Sequence, residues 1–340
     1  MRAAILVQAK KPLQIRDVDM PKIGRSEVLV KVKACGICHS DLHFIEGLRP
    51  TGKIPIILGH EAAGVIEEVG EDVYGYCKGD RVAIDYYFTC GVCSYCRTGL
   101  ENLCQRIVRF GMDVDGAYAE YTKVPYRSLC KIPSNISFEE AAVCTDAVAT
   151  PYHALKDIGV LKMNEVVALY GIGGLGINAV QIAHTFGAKI IAVDVSLKKL
   201  DLAKQFGADF VIDAKAEDPV KEILELTNGE GVDLALEFIG LPDTIIQTIK
   251  SVKKGGRAVI VGLSVREVQL NSIDLVVREL SLKGSRGLLL RNLEEVLELV
   301  KYGKIKVKPI ISDVYSLEEI NNGIRNLREG STIRSLVKLS

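Results

Sequence analysis

The 340-residue sequence predicts an α/β plus β chain, in which a doubly wound parallel sheet is joined to a separate β-rich lobe. Three observations carry this. Between Glu165 and about Gly284, short apolar strands alternate with helical patterns, as in a parallel sheet covered on both faces. A glycine turn, Gly171-Ile172-Gly173-Gly174-Leu175-Gly176, follows the first of these strands and opens a helix. Up to about residue 145, by contrast, apolar runs are short and cut by turn residues. The length also exceeds the usual single-domain mode of roughly 100 to 150 residues, so two lobes are expected.

In chain order, Val28-Leu29-Val30-Lys31-Val32, Gly64-Val65-Ile66 and Gly79-Asp80-Arg81-Val82-Ala83-Ile84 read as strands among irregular loops. Ser137-Phe138-Glu139-Glu140 is a capping box that starts a helix at Ala141-Ala142. Strand and helix then alternate over 166–170 and 175–186, 190–193 and 197–206, 210–212 and 219–227. Strands at 232–238, 258–261 and 280–283 continue the series. Helical patterns at 293–302 and 317–327 precede Ser335-Leu336-Val337-Lys338-Leu339, a strand expected to return to the first lobe.

Apolar residues make up 48% and charged residues 25% of the chain, enough for a buried core and unlike a disordered sequence. Lys plus Arg and Asp plus Glu number 43 each, which removes the diffuse positive field of a nucleic-acid or anionic-membrane binder. A small, weakly charged partner is expected instead. The N-terminal apolar run meets Lys10 and Lys11 too early for a signal-peptide core. Residues 166–188 are long enough for a membrane span, but five glycines, Asn178, Gln181 and His184 interrupt them, and a buried strand, turn and helix is the better reading. Nine cysteines in such a chain point to thiols or metal ligands in a reducing cytoplasm.

Gly171, Gly173 and Gly176 place GxGxxG between strand and helix, where missing side chains admit a pyrophosphate to the helix N-terminus. Asp194 closes the next strand, where a carboxylate accepts from a ribose hydroxyl. Cys90, Cys93, Cys96 and Cys104 form C-x2-C-x2-C-x7-C. Four thiolates suit tetrahedral Zn2+ and leave no place for water, so this site holds a loop; an iron–sulfur cluster or spare reduced thiols are the alternatives. Cys35-Gly36-Ile37-Cys38 is a CxxC without a thioredoxin-like strand and helix pair around it. Cys38 is followed by His39, Ser40, Asp41 and His43, then by Gly59-His60-Glu61. Thiolate plus imidazole is the start of a catalytic zinc site, which typically has three protein ligands.

Together these residues resemble the zinc-dependent alcohol dehydrogenases of the medium-chain dehydrogenase/reductase superfamily, over essentially the whole chain. The most specific element is Gly59-His60-Glu61-Ala62-Ala63-Gly64 with Gly70 and Val73, which resembles the family's zinc signature GHE-x2-G-x5-G-x2-V. Cys38-His39-Ser40-Asp41 resembles its first-ligand segment, and Thr145-Asp146-Ala147-Val148-Ala149-Thr150-Pro151-Tyr152 its third, with Asp146 where many members have Cys. The resemblance implies a GroES-like β-barrel catalytic domain over 1–147, a Rossmann domain over 148–286, and a segment over 287–340 that returns to the catalytic domain. It implies two zinc ions per chain, NAD, and a dimer or tetramer.

The resemblance further implies that Cys38, His60 and Asp146 hold the catalytic zinc, with Glu61 in the same metal group and Asp41 orienting His60. Ser40 is then the first proton acceptor, passing the proton through the cofactor ribose to His43. Cofactor contacts are implied for His39, Gly171, Gly173, Gly174, Leu175, Gly176, Asp194, Lys199, Val261, Gly262, Leu263, Ser285 and Arg286. Tyr86 and Leu263 would line the pocket for substrate and nicotinamide in a cleft between the lobes. The expected reaction moves a hydride between a primary or secondary alcohol and NAD. A dehydrogenase for polyols, sugars or amino alcohols, the zinc-free reductase branch, and a non-catalytic nucleotide sensor with a cysteine-lobe interaction module are its rivals.

Overall fold

The computed structural model describes residues 1–340. The chain divides into two compact units: Met1–Asp146 with Leu289–Ser340, and Ala147–Leu288.

The first unit is built on a seven-stranded sheet. Its main path runs Leu129–Lys131, Arg81–Ile84, Glu61–Val69, Glu27–Ile37, Arg334–Lys338 and Ile311–Tyr315, with Tyr121–Pro125 also paired to Glu27–Ile37. Val28, Val30, Val32 and Ala34 alternate into the core, so the period-two pattern sets the face of the long strand. Its end, Ala34 to Ile37, is buried on both faces, and the C-terminal strand pairs along its edge: Ser335 with Ile37 and Leu336 with Gly36. A three-stranded sheet of Gln14–Asp17, Arg2–Leu6 and Ile56–Ile57 completes the strands near the N-terminus.

The second unit is a six-stranded, all-parallel sheet. In space the order is Phe210–Asp213, Lys189–Asp194, Val166–Tyr170, Val232–Glu237, Val252–Ile260, Ser281–Gly284. This is third, second, first, fourth, fifth, sixth along the chain, the doubly wound order whose direction reverses beside the first strand. Residues 166–188, charge-free and long, form a strand, a glycine turn and the helix Gly176–Thr185; no helix of the protein is long and apolar enough to cross a membrane. Helix Ser137-capped Phe138–Val143 begins where its capping box predicts.

Several elements are absent from the sequence reading, among them the site-bearing helix His39–Ile45 and three others. The helix Pro242–Ser251 buries Ile245, Thr248 and Ile249 at helical spacing, but a run rich in β-branched residues carries a weak helix signal. Ser272–Val277 is a short helix with no buried residue and therefore no amphipathic pattern. Ile311–Tyr315 is a short, partly exposed strand held by its neighbour Arg334–Lys338.

Asp85 is a buried acid just past the end of strand Arg81–Ile84. Burial pushes its carboxyl up to about 7 from 3.8, with Glu101 adding repulsion and the Tyr87 amide, which donates to Oδ1 at 2.9 Å, opposing the rise. The protonated form is favoured by folding, so the stability it lends is complete below about pH 4 and is lost as pH rises through about 7. Asp85→Asn should therefore raise Tm relative to the parent at pH 8, and the gain should shrink toward pH 5. Thermal melts across that range read it; a pH-independent difference counts against the assignment.

Candidate functional site

Strand register creates the first site. Within the Glu27–Ile37 and Glu61–Val69 pair, Gly36 stands opposite Glu61. Cys38 follows the end of one strand and His60 precedes the start of the other, so pairing alone brings thiol and imidazole to the same sheet end. Gly36 has to lack a side chain, because a Cβ there would overlap Glu61 Oε2. Helix His39–Ile45, which begins right after Cys38, carries Ser40, Asp41 and His43.

Asp146 arrives from a distorted helix. Helix Phe138–Val143 widens into a π-helical turn at Cys144–Val148 before Ala149–His153. Pro151 explains the widening: it has no N–H for Ala147, four residues earlier, and its ring crowds that carbonyl. Asn178 Nδ2 donates to the Ala147 carbonyl instead, at 3.0 Å. The π turn carries Asp146 to the ligand group and leaves Cys144 in the apolar core, where burial pushes its thiol well up and keeps it neutral.

One ligand atom each from Cys38, His60, Glu61 and Asp146 falls within 4.8 Å of all the others. Cys38 Sγ is 3.4 Å from Asp146 Oδ2, and His60 Nε2 is 3.8 Å from the same oxygen. The other imidazole nitrogen, Nδ1, lies 3.4 Å from Asp41 Oδ1. Glu61 Oε1 accepts from Arg334 at 2.7 Å, both side chains being buried. Sequence reasoning passed over Arg334, since a lone arginine at a strand start carries no signal until its partner is known. The Tyr86 ring stands edge-on to His60, with centroids 5.4 Å apart.

The electrostatics suit a cation. Burial and Asp146 both oppose a Cys38 thiolate, yet hydrogen bonding to His60 and the charge of Arg334 bring its pKa below the ordinary thiol value. Burial disfavours a charged His60, but Asp41, Asp146 and Cys38 outweigh it and hold the imidazole well above its usual range. Glu61 Oε2 and Arg334 Nε are buried without a hydrogen-bond partner. Thiolate, imidazole and carboxylate are the donor types of a catalytic zinc, so the residues fit that ion.

Ser40 Oγ lies 3.2 Å from His60 Nε2, on the metal-facing side of the ring. His43 is half-buried, and its Nδ1 has no partner. His39 is exposed.

The second donor set is Cys90, Cys93, Cys96 and Cys104. Sulfur separations of 4.0 Å (Cys90–Cys96), 3.5 Å (Cys93–Cys96) and 3.9 Å (Cys93–Cys104) are far beyond a disulfide. They bracket the edge of about 3.8 Å expected when four sulfurs surround a zinc at about 2.3 Å. Backbone amides of Cys93 and Cys90 donate to Cys90 Sγ and Cys104 Sγ, each at 3.4 Å. Amides of Val92 and Cys93 lower Cys90 to about 6, whereas burial and neighbouring thiols raise Cys96 to about 12. Four adjacent thiolates become compatible when a cation sits among them.

In the second unit, the glycines of the turn have three different reasons. Gly171 has φ +90°, and a Cβ on Gly176 would overlap the Gly171 carbonyl. Gly173 faces open space, with nothing within 4 Å of a Cβ placed there. That open position beside Gly174 and Leu175, at the N-terminus of Gly176–Thr185, fits a pyrophosphate. Asp194 Oδ2 accepts from Ile172 N at 2.7 Å and Oδ1 from Ser196 N at 2.9 Å, so it ties the glycine turn to the loop after its own strand. Lys199 is half-buried in the following helix. Val261 and Gly262 both donate amides to the Glu237 carbonyl, Leu263 is exposed, Ser285 donates its amide to Ile260 while its Oγ is buried, and Arg286 is exposed.

Comparison with known proteins agrees with this arrangement. An alcohol dehydrogenase GroES-like domain matches residues 24–134, and a zinc-binding dehydrogenase domain matches 174–302. The chain belongs to the zinc-dependent alcohol dehydrogenase family of the medium-chain superfamily. It is 43% identical over 332 residues to an alcohol dehydrogenase of Geobacillus stearothermophilus, covering 97% of each chain. It is 39% identical over 338 residues to an NAD-dependent alcohol dehydrogenase of Sulfurisphaera tokodaii, covering 96% of each. The crystal structure of the alcohol dehydrogenase from Aeropyrum pernix superposes with a TM-score of 0.92 at 37% identity, over 99% of this chain and 100% of that one. Zinc and NAD are the cofactors of this family member.

Two zinc ions per chain with unequal roles follow from the two donor sets. His60→Ala or Asp146→Ala should lower the zinc content from two to one and abolish turnover with the fold retained, while Cys144→Ser should keep both ions. Cys93→Ser should lower Tm, since a closed site contributes to folding. Metal analysis with thermal melts checks each; Asp146→Ala with two zincs and full activity would transfer the ligand role away from it.

Proposed function

We propose that the protein interconverts primary or secondary alcohols with aldehydes or ketones, with NAD exchanging the hydride. The convergence of Cys38, His60 and Asp146 on one point, backed by buried Asp41, is the observation that carries this reading. Zinc at that point supplies Lewis acidity that lowers the pKa of an alcohol hydroxyl, and NAD supplies the hydride acceptor. Cys38 and Asp146 bring two negative charges against the ion's two positive ones, and neutral His60 completes the set.

The chain's own part in proton transfer falls to helix His39–Ile45. Ser40 Oγ receives the substrate hydroxyl proton beside His60. His43 is three residues on, on the same helical face, and takes the proton onward toward solvent. Burial lowers the His43 pKa, with Arg49 adding repulsion and Glu46 opposing, so the imidazole stays neutral and able to accept a proton to lower pH than an exposed histidine. Tyr86 shapes the substrate side of His60.

Asp194 sets a preference for NAD, because a 2′-phosphate would meet like charge there. The compartment is a reducing cytoplasm, which the nine free cysteines suit, four of them grouped as thiolate ligands. Assembly is homo-oligomeric, a dimer or a tetramer made from it. Val265, Ile273, Val276 and Val277 are 65 to 75% exposed, and they precede in the chain Ser281–Gly284, whose outer edge is unpaired at the margin of the six-stranded sheet. A second copy satisfies both the apolar surface and the free strand edge.

Alcohol-dependent reduction of NAD, run across primary, secondary, benzylic and polyol alcohols, tests the activity; no reduction with any of them refutes it. Asp194→Gly should move cofactor preference toward NADP, and equal parental efficiency with both cofactors argues against the role of Asp194. Ser40→Ala should lower kcat by roughly 10²-fold. His43→Gln should do less, with the loss concentrated on the acid side, where solvent base is scarce. Parental pH profiles for both variants would dismiss the relay. Val276→Asp combined with Val277→Asp should lower the sedimenting mass to a monomer, and an unchanged mass places the interface elsewhere.

A further inference from the structure

Behind His60 lies a buried tyrosine that the proton relay and the ligand set do not use. Tyr118 is fully buried, and its backbone is pinned on two sides: its amide donates to the Leu58 carbonyl at 3.0 Å, and its carbonyl accepts from Ala4 at 2.8 Å. Its ring lies flat against Gly59, the residue before His60; a Cβ there would come within 2.6 Å of Cδ1 and 2.8 Å of Cε1. The hydroxyl donates to Asp41 Oδ2 at 2.8 Å, with the Gly36 carbonyl a more distant acceptor at 3.2 Å.

Asp41 is itself fully buried. Its Oδ2 takes the Cys38 amide at 3.0 Å and the Tyr118 hydroxyl, which leaves Oδ1 facing His60 Nδ1 at 3.4 Å. A carboxylate held by only one amide is free to rotate about its terminal torsion, which is broad. The tyrosine hydroxyl adds the second anchor, from a scaffold independent of the helix that carries Asp41.

We infer that Tyr118 is a positioning residue for the metal centre: by holding Asp41 Oδ2 it keeps Oδ1 on His60 Nδ1, and so aims Nε2 at Cys38 and Asp146. The chain of contacts runs Tyr118, Asp41, His60. Groups that orient a metal-ligating histidine typically change metal affinity by about 10 to 100-fold when removed. The inference rests on the proposed metal site at Cys38, His60 and Asp146.

Tyr118→Phe keeps the ring against Gly59 and deletes the hydroxyl alone. In the zinc-loaded holoenzyme, release of each zinc to a chromogenic chelator is followed in time, with Tm and the slow release from the four-cysteine lobe as fold controls. The expected result is about tenfold faster release from the His60 site, with the four-cysteine zinc unaffected. Asp41→Asn should accelerate the same phase, and the double variant should add little, because both act through one contact. Cobalt placed at the His60 site should show shifted d–d bands in Tyr118→Phe. Release at the parental rate, equal acceleration at both sites, or full additivity with Asp41→Asn overturns the inference. His60→Ala is the separate control: if it retains two zincs, the metal-site reading itself fails, whatever Tyr118 does.

Discussion

The antiparallel register that sets Gly36 opposite Glu61 is the constraint on which the first unit's chemistry depends. It brings Cys38 beside His60, buries Glu61 in the space that glycine leaves, and gives the C-terminal strand a partner against which Arg334 reaches Glu61. A slip of one residue would turn every side chain to the other face. The long strand is pinned on both sides and along much of its length, which is why such a register is held.

That register concentrates charge. Asp41, Glu61 and Asp146 are buried beside the half-buried Cys38, and Arg334 is the buried cation beside them. Burying ionised groups without compensation costs several kcal/mol per ion, on the order given by desolvation after relaxation. Arg334 offsets Glu61, Asp41 is met by Tyr118, the Cys38 amide and His60, and the divalent cation is what remains to neutralise Cys38 and Asp146. The four-cysteine lobe solves a similar problem differently. Its cysteines, all but Cys104 partly exposed, take backbone amides on sulfur, and the metal there closes a loop.

The second unit shows how a local rule and a tertiary one meet. The glycine turn follows its strand as the spacing predicts, and Asp194 stands at the end of the next strand. The carboxylate also receives the Ile172 amide across 22 residues of sequence. It therefore shapes the turn as well as presenting acceptors at its rim. Such a double role has no signature in composition or spacing.

Much of the architecture was legible in the residues themselves. Period-two and helical patterns, the Ser137 capping box and the glycine spacing act locally, so parallel sheet, β-rich lobe and both donor sets could be read without coordinates. The short strand Ile311–Tyr315 and the helix Pro242–Ser251 could not, because partners distant in sequence or ambiguous β-branched runs define them. The geometry that brings Asp146, and not Cys144, into the donor cluster belongs to a π turn with Pro151 and Asn178 beside it. Arg334 and Tyr118 became meaningful only through Glu61 and Asp41, 273 and 77 residues away. Sequence alone determined which donor types the chain carries and which elements present them, since propensity and spacing are short-range. Tertiary structure decided which side chains orient those donors, because strand register and burial bring together residues that no local pattern connects.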